Sequence, residues 1–212
     1  CIVYDIITKK SSTLRYPLVL RNRIIWTFGH GLNSTQRFSG RHETILWFTK
    51  GYDFEYHLDK VRVPQKYPGK RAYKGPNKGE LSGNPLGKNP SDVWDIPNVK
   101  ANHIEKVEHP CQFPVALPHR LIKALAQPDA LILDPFMGSG STGVAAGIEN
   151  VRFVGAELMK EYYDISVQRI KDAYEGKAKI REDIPVIAPN PNTSVAKLPE
   201  EFEKIRSTND EE

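Results

Sequence analysis

Cysteines and long apolar runs are both scarce in this sequence. Among 212 residues there are two cysteines, Cys1 and Cys111. They are too few for a disulfide framework and predict a reducing, cytoplasmic setting. No apolar run approaches the roughly 18 residues that a membrane-spanning helix requires, so we expect no membrane association. The length accommodates one domain and a satellite region.

Acidic residues are absent from one stretch, although the net charge of the whole chain is only +4. From Lys60 to Gly79 the charged residues are all basic, and prolines, glycines and tyrosines separate them. Such a composition predicts an irregular loop that follows a phosphate backbone, and a solvated basic loop is the alternative. The candidate DNA-binding residues in this loop are Lys66, Lys70, Arg71, Lys74 and Lys78.

A strand, a glycine-rich turn and a helix are predicted in succession from Leu131. The apolar run ends at Asp134, and the turn Pro135-Phe136-Met137-Gly138-Ser139-Gly140-Ser141 opens onto a run of small residues. Glycines allow a ligand to approach the backbone closely, and the free N–H groups of the first helical turn face it. A phosphate loop would carry a lysine after its last glycine, and this turn carries none. The pattern favours a nucleoside-like ligand with an amine, and an ordinary strand-to-helix turn is the alternative.

A second predicted strand, Val151 to Glu157, ends in a carboxylate and precedes a predicted helix from Met159 to Tyr174. An acid about 20 residues beyond a glycine loop accepts hydrogen bonds from ribose hydroxyls in doubly wound sheets. An acid that merely stabilises the helix N-terminus is the alternative for Glu157. A nicotinamide-dependent dehydrogenase is a further alternative, but the third glycine of the dinucleotide-binding motif is missing at the required spacing.

The segment His109-Pro110-Cys111-Gln112-Phe113-Pro114 is predicted to enter a helix in an extended conformation, because its prolines restrict the backbone. His109 and Cys111 have no further metal ligands beside them, so no metal site is predicted.

Together these segments resemble the S-adenosylmethionine-dependent DNA amino-methyltransferases of the circularly permuted beta class. The glycine turn resembles their cofactor loop, Glu157 their ribose-binding acid, and the His109 segment the one that closes over the methionine end. Phe113 departs from the family, since lysine is common there. The resemblance implies S-adenosyl-L-methionine bound by Asp134, Pro135, Phe136, Gly138, Ser139, Gly140, Ser141, Glu157, Leu158, His109, Pro110, Gln112 and Phe113.

The family also implies a fold and an activity. We expect an α/β fold, namely part of a Rossmann-like methyltransferase sheet with an inserted irregular target-recognition region. The expected activity is site-specific methyl transfer to an exocyclic amino group in double-stranded DNA, with N6-adenine favoured over N4-cytosine, within a restriction-modification system. A methyltransferase acting on RNA is an alternative.

The order of the segments predicts four regions. Residues 1–50 hold edge strands of the catalytic half, with strands at Arg21–Phe28 and His42–Lys50. Residues 51–102 form the target-recognition region, 103–176 the cofactor-binding half, and 177–212 an extended tail. Arg37 and Arg41, between the two edge strands, are further candidate DNA contacts.

A Pro-Pro pair is absent from the sequence. The family holds its target amine with an Asp/Asn/Ser-Pro-Pro-aromatic tetrapeptide, so no catalytic residue is assigned in this chain. We expect a missing N-terminal segment or a partner chain to supply the tetrapeptide and its strand. A non-catalytic cofactor- and DNA-binding half of a split enzyme is the alternative, and a homodimer remains open.

Overall fold

The computed structural model describes residues 18–29, 31, 33–181, 197, 199, 200 and 202. The apolar run at residues 2–7 and most of the tail predicted at 177–212 lie outside the described residues. The chain divides into two units, one of residues 1–56 and 91–183 and the other of residues 57–90 and 184–212. None of the described helices is long and apolar enough to cross a membrane.

A three-stranded sheet is built from β1 (Leu18–Thr27), β2 (His42–Lys50) and β3 (Val93–Asp95), in the order β2-β1-β3. The first two strands are antiparallel, with Thr27 opposite His42, and β3 is parallel to β1. Branched and aromatic side chains in these segments favour the extended conformation. The strand predicted at His42–Lys50 is confirmed, and the one predicted from Arg21 begins earlier, at Leu18.

A parallel pair is formed by β4 (Leu131–Asp134) and β5 (Arg152–Gly155), with Asp134 opposite Gly155. Helix α1 (Ala116–Leu125) precedes β4, α2 (Ser141–Ile148) connects the two strands, and α3 (Lys160–Tyr174) follows β5. The helix predicted from Met159 is thereby confirmed, as is the α/β fold class. The βαβ unit places the ends of both strands at one edge.

Helix α2 packs closely on its neighbours because its residues are small. A Cβ added at Gly143 would lie 2.5 Å from Ile170 Cδ1 and 2.8 Å from Phe153 Cε1. At Gly147 it would lie 2.8 Å from the Cβ of Ala173. The run of glycine and alanine therefore seats α2 against both α3 and β5, which fixes the glycine turn at its N-terminus.

Two apolar clusters form the core of the first unit, and α1 contributes to both. Leu117 packs in the cluster of Ile24, Trp26, Trp94 and Ile96, whereas Ile122 packs in the cluster around Val144, Ala145 and Val151. Trp94 is buried in the first of these clusters. Helix α1 thus connects the cores of the two sheets.

An apolar cavity of 610 Å³ lies between the two sheets. Its walls include Trp26, Glu43 and Ile45 from the first sheet, Leu121 from α1, and Ile132 and Thr142 from the βαβ unit. On one face of the β4–β5 pair, Leu131, Leu133 and Val154 are exposed. Parallel sheets are normally covered on both faces. The described residues therefore leave an uncovered apolar face and a gap beside β4.

In the second unit, residues 57–90 form an irregular region. It contains a 3-10 helix at Leu58–Val61 and two isolated bridges, Val63 to Lys88 and Arg71 to Leu81. The lysines of the basic loop, Lys66, Lys70, Lys74 and Lys78, are exposed.

Candidate functional site

The glycine turn and the Glu157 loop meet at the carboxyl ends of β4 and β5. The Ala156 N–H donates to the carbonyl of Asp134 at 3.0 Å, and the Met137 N–H donates to the carbonyl of Ala156 at 3.0 Å. These bonds extend the pairing beyond the strands themselves. The two acidic residues predicted to bind the cofactor therefore lie at the same edge.

Asp134 is held in place by the turn that it begins. One carboxylate oxygen accepts the Phe136 N–H at 3.1 Å, and the other accepts the hydroxyl of Thr142 at 2.6 Å. A carboxylate has about four lone-pair sites, so Asp134 can still accept a hydrogen bond from a ligand. Its charge is therefore both oriented and available.

Glu157 reaches across to the glycine turn. Its Oε2 accepts the Gly138 N–H at 3.0 Å, and its Oε1 accepts the Met159 N–H at 2.9 Å. These bonds position the carboxylate between the two loops, and its remaining lone pairs suit the hydroxyls of a ribose.

Position 138 requires a glycine because of its backbone conformation and because of the side chain that lies against it. Its φ is +51°, and a Cβ there would lie 2.9 Å from His109 Nε2. The His109 ring packs edge-on against Tyr162, with centroids 4.5 Å apart. The hydroxyl of Ser141 also donates to the carbonyl of Phe113 at 2.9 Å. The structure thus brings the His109 segment onto the glycine turn.

Large apolar side chains stand exposed around this edge. Phe136 is 88% exposed, Leu158 is 96% exposed, and Phe113 also reaches solvent. Exposed apolar clusters of this kind mark ligand- or partner-binding surfaces. Pro110 and Pro135 are exposed beside them.

Some of the predicted cofactor residues are buried, among them Gln112 and Ser139. Gln112 is buried, and its amide donates to the carbonyl of Glu105 at 2.7 Å and accepts the Val107 N–H at 3.1 Å. Ser139 is buried too, and its carbonyl accepts a hydrogen bond from Arg169. In the structure these residues shape the loops from within.

Glu105 was missed by the reasoning from sequence. Its carboxylate is 3% exposed and accepts the Val115 N–H at 2.9 Å and the Arg181 N–H at 3.0 Å. Burial lowers the pKa of Arg169, and the negative charge of Glu105 opposes that shift. Since Arg169 also bonds the glycine turn, Glu105 links the His109 segment, the residues after α3 and the cofactor edge.

We expect Glu105→Ala to destabilise the protein by about 3 kcal/mol. It leaves two backbone N–H groups unpaired, and it removes a negative charge that favours the protonated guanidinium of Arg169. Glu105→Gln should cost less, since its one oxygen still accepts a hydrogen bond. Urea denaturation measures both effects. Glu108→Ala, at an exposed position nearby, is the control. Equal midpoints for Glu105→Ala and Glu108→Ala would contradict the assignment.

The sequence profile of the DNA methylase family, which comprises N6- and N4-methyltransferases, matches residues 8–168. The chain belongs to this family.

Two relatives and one solved structure illustrate the similarity. Type II methyltransferase M.BglII of Bacillus subtilis is 52% identical over 148 residues, which are 70% of this chain and 41% of that protein. DNA adenine methyltransferase YhdJ of Escherichia coli (strain K12) is 31% identical over 158 residues, 74% of this chain and 54% of that protein. The crystal structure of the M1.HpyAVI-SAM complex superposes with a TM-score of 0.51 at 25% identity, covering 79% of this chain and 68% of that one. The chain spans about half the length of the curated relatives it matches.

Proposed function

We propose that this chain is the cofactor-binding and DNA-contacting part of a DNA amino-methyltransferase. The observation that carries the proposal is the placement of Asp134 and Glu157 against one glycine turn, in a chain of the DNA methylase family. The cofactor proposed for this edge is S-adenosyl-L-methionine.

The residues present fit this cofactor. Gly138 keeps a side chain out of the turn, so a ligand can approach its backbone. Glu157 accepts the ribose hydroxyls, and the apolar surface of Leu158 lies next to it for the adenine ring. Asp134 attracts the ammonium group, and Phe136 covers the methionine part. The name of the M1.HpyAVI-SAM complex states the same ligand for a structural relative.

When bound, the cofactor supplies an electrophilic methyl group on a sulfonium. The exocyclic amine of a base is a poor nucleophile, because its lone pair is delocalised into the ring, and a base must leave the duplex to be reached. Asp134 and Glu157 would hold the cofactor at this edge, and Phe136 and Leu158 would offer it apolar surface. The proposed acceptor for the target amine is the Pro-Pro tetrapeptide of the family, which this sequence does not contain.

The uncovered surfaces support a missing polypeptide as the source of that tetrapeptide. The apolar cavity beside β4 and the exposed face of Leu131, Leu133 and Val154 are surfaces that a further parallel strand and its helix would bury. We infer that this polypeptide completes the sheet between β2 and β4.

The favoured target is the N6 of adenine, within a restriction-modification system. One relative is named an adenine methyltransferase and another a Type II methyltransferase.

The experiment is digestion of duplex DNA after incubation with the intact protein and labelled cofactor, followed by mass spectrometry of the nucleosides. N4-methylcytosine would overturn the base assignment. Methylation of RNA alone would favour the RNA alternative, and no methylation would favour a non-catalytic half. The cytoplasmic setting stays a prediction.

The exposed lysines of the basic loop are proposed to contact the DNA backbone. We expect the combined variant Lys70→Ala, Lys74→Ala and Lys78→Ala to weaken binding to all DNA sequences. The slope of log affinity against log salt should flatten by roughly 0.9 per lost phosphate contact. Arg71 is left intact, because its guanidinium donates to the Gly79 carbonyl at 2.8 Å and so shapes the loop.

A matched control for charge is the combined variant Lys160→Ala, Lys171→Ala and Lys177→Ala. It removes the same number of positive charges from exposed positions that form ion pairs with acids. A salt slope that falls equally in both variants, or in neither, would show that the basic loop makes no specific phosphate contacts.

A further inference from the structure

The loop between β1 and β2 carries a completely exposed aromatic side chain. Phe38 is 100% exposed. The loop around it is held together by hydrogen bonds: the Ser34 N–H donates to the hydroxyl of Ser39 at 2.9 Å, and Arg41 donates to Asn33 Oδ1 at 2.7 Å. The Phe28 N–H closes its base on the carbonyl of Arg41 at 3.2 Å. Phe38 therefore projects from a braced loop.

The strands on either side of this loop line the cavity between the two sheets. Trp26 and Glu43, close to its two ends, line the same cavity as Phe113 and Thr142. Thr142 in turn donates to Asp134 of the candidate cofactor site. The strands that carry the loop and the cofactor edge consequently lie on opposite sides of this cavity, within one unit of the chain.

Solvent is an unfavourable environment for a whole phenyl ring, and Phe38 has no apolar neighbour that covers it. Its sequence neighbour Arg37 is exposed as well. An aromatic ring with an adjacent cation suits DNA, since rings stack on bases and arginines contact phosphates. A protein partner would be expected to leave a broader apolar patch, whereas the side chains of residues 35–37 next to Phe38 are polar.

We propose that Phe38 is a wedge that enters the base stack of DNA at the position vacated by the target base. The inference rests on the proposed function, because it requires a flipped base. Flipping costs stacking and pairing energy. Apolar side chains such as Phe are inserted between base steps by proteins that distort DNA. Stacking of Phe38 against the bases next to the gap offsets part of that cost. Arg37 contacts a phosphate, and Arg41 braces the loop from within.

The test compares two duplexes that carry the sequence methylated by the intact parent protein. In one the target base is paired, and in the other it faces an abasic site, which makes flipping easier. We expect Phe38→Ala to lower the methylation rate about tenfold on the paired duplex and to have little effect on the other. Phe38→Trp should keep the parent's rate on both. Val167→Ala, which truncates an exposed apolar side chain on α3 that is assigned no contact with DNA or cofactor, is the control.

The outcomes separate a failure of the Phe38 proposal from a failure of the proposed function. An active parent together with an unchanged Phe38→Ala variant would overturn the wedge alone. An equal loss on both duplexes would also overturn it, since a general DNA contact or a folding defect acts regardless of pairing. A parent that methylates neither duplex would overturn the proposed function and this inference with it.

Discussion

Replacing Glu157 with alanine is expected to weaken the binding of S-adenosylmethionine about a hundredfold, or about 2.7 kcal/mol. The carboxylate is proposed to accept the ribose hydroxyls, and hydrogen bonds to a charged group contribute about 1.5–3 kcal/mol each. The substitution also removes the acceptor of the Gly138 N–H, so the glycine turn loses a support. Titration calorimetry of the intact protein measures the change.

Two further variants make this result specific. Glu157→Gln retains one acceptor oxygen and should lose less affinity than the alanine variant. Glu161→Ala removes an exposed acid from the first turn of α3 and should bind like the parent. Unchanged affinity in Glu157→Ala would show that the ribose lies elsewhere.

Methyl transfer is expected to depend on polypeptide that supplies the Pro-Pro tetrapeptide. The purified 212-residue chain should transfer no methyl group to DNA above background, because no residue in it is assigned to hold the target amine. Adding the polypeptide that carries the tetrapeptide, fused or coexpressed, should raise the rate by more than about a thousandfold. The same polypeptide should also increase the solubility of the chain, by covering the exposed face of β4 and β5.

The matched control is the same polypeptide with alanine at the first position of the tetrapeptide. It should improve solubility equally and restore little activity, which separates completion of the sheet from catalysis. Efficient methyl transfer by the 212-residue chain alone would contradict the account and require a catalytic residue within it.

Local patterns predicted the parts of the fold that local chemistry determines. The segment His42–Lys50 is rich in branched and aromatic residues, and it forms the predicted strand. Likewise, the apolar run, glycine turn and small residues after Leu131 predicted a strand, a turn and a helix in succession. The bounds of β1 were less predictable, because pairing with β2 extends it back to Leu18.

Contacts distant in sequence could not be predicted in this way. Glu105 accepts N–H groups 10 and 76 residues along the chain, and a backbone donor leaves no trace in the residue type. The hydrogen-bond partners of amide side chains could not be predicted from sequence either. Gln65, in the basic loop, carries an amide of the kind that reads base edges, but in the structure it donates to the carbonyl of Asn84 at 2.6 Å. Residue type predicted the capacity to hydrogen bond, and the fold determined the partner.

Hydrogen exchange of the intact protein, with and without S-adenosylmethionine, is the most direct test that the cofactor binds at the carboxyl ends of β4 and β5. We expect the backbone amides of residues 138–142 and 157–159 to exchange more slowly when the cofactor is present. Exchange in residues 109–113 should slow by a smaller factor. The amides of β1 and β2 should exchange at unchanged rates. Protection confined to other parts of the chain, or none at saturating cofactor, would contradict the assignment of this edge as the cofactor site.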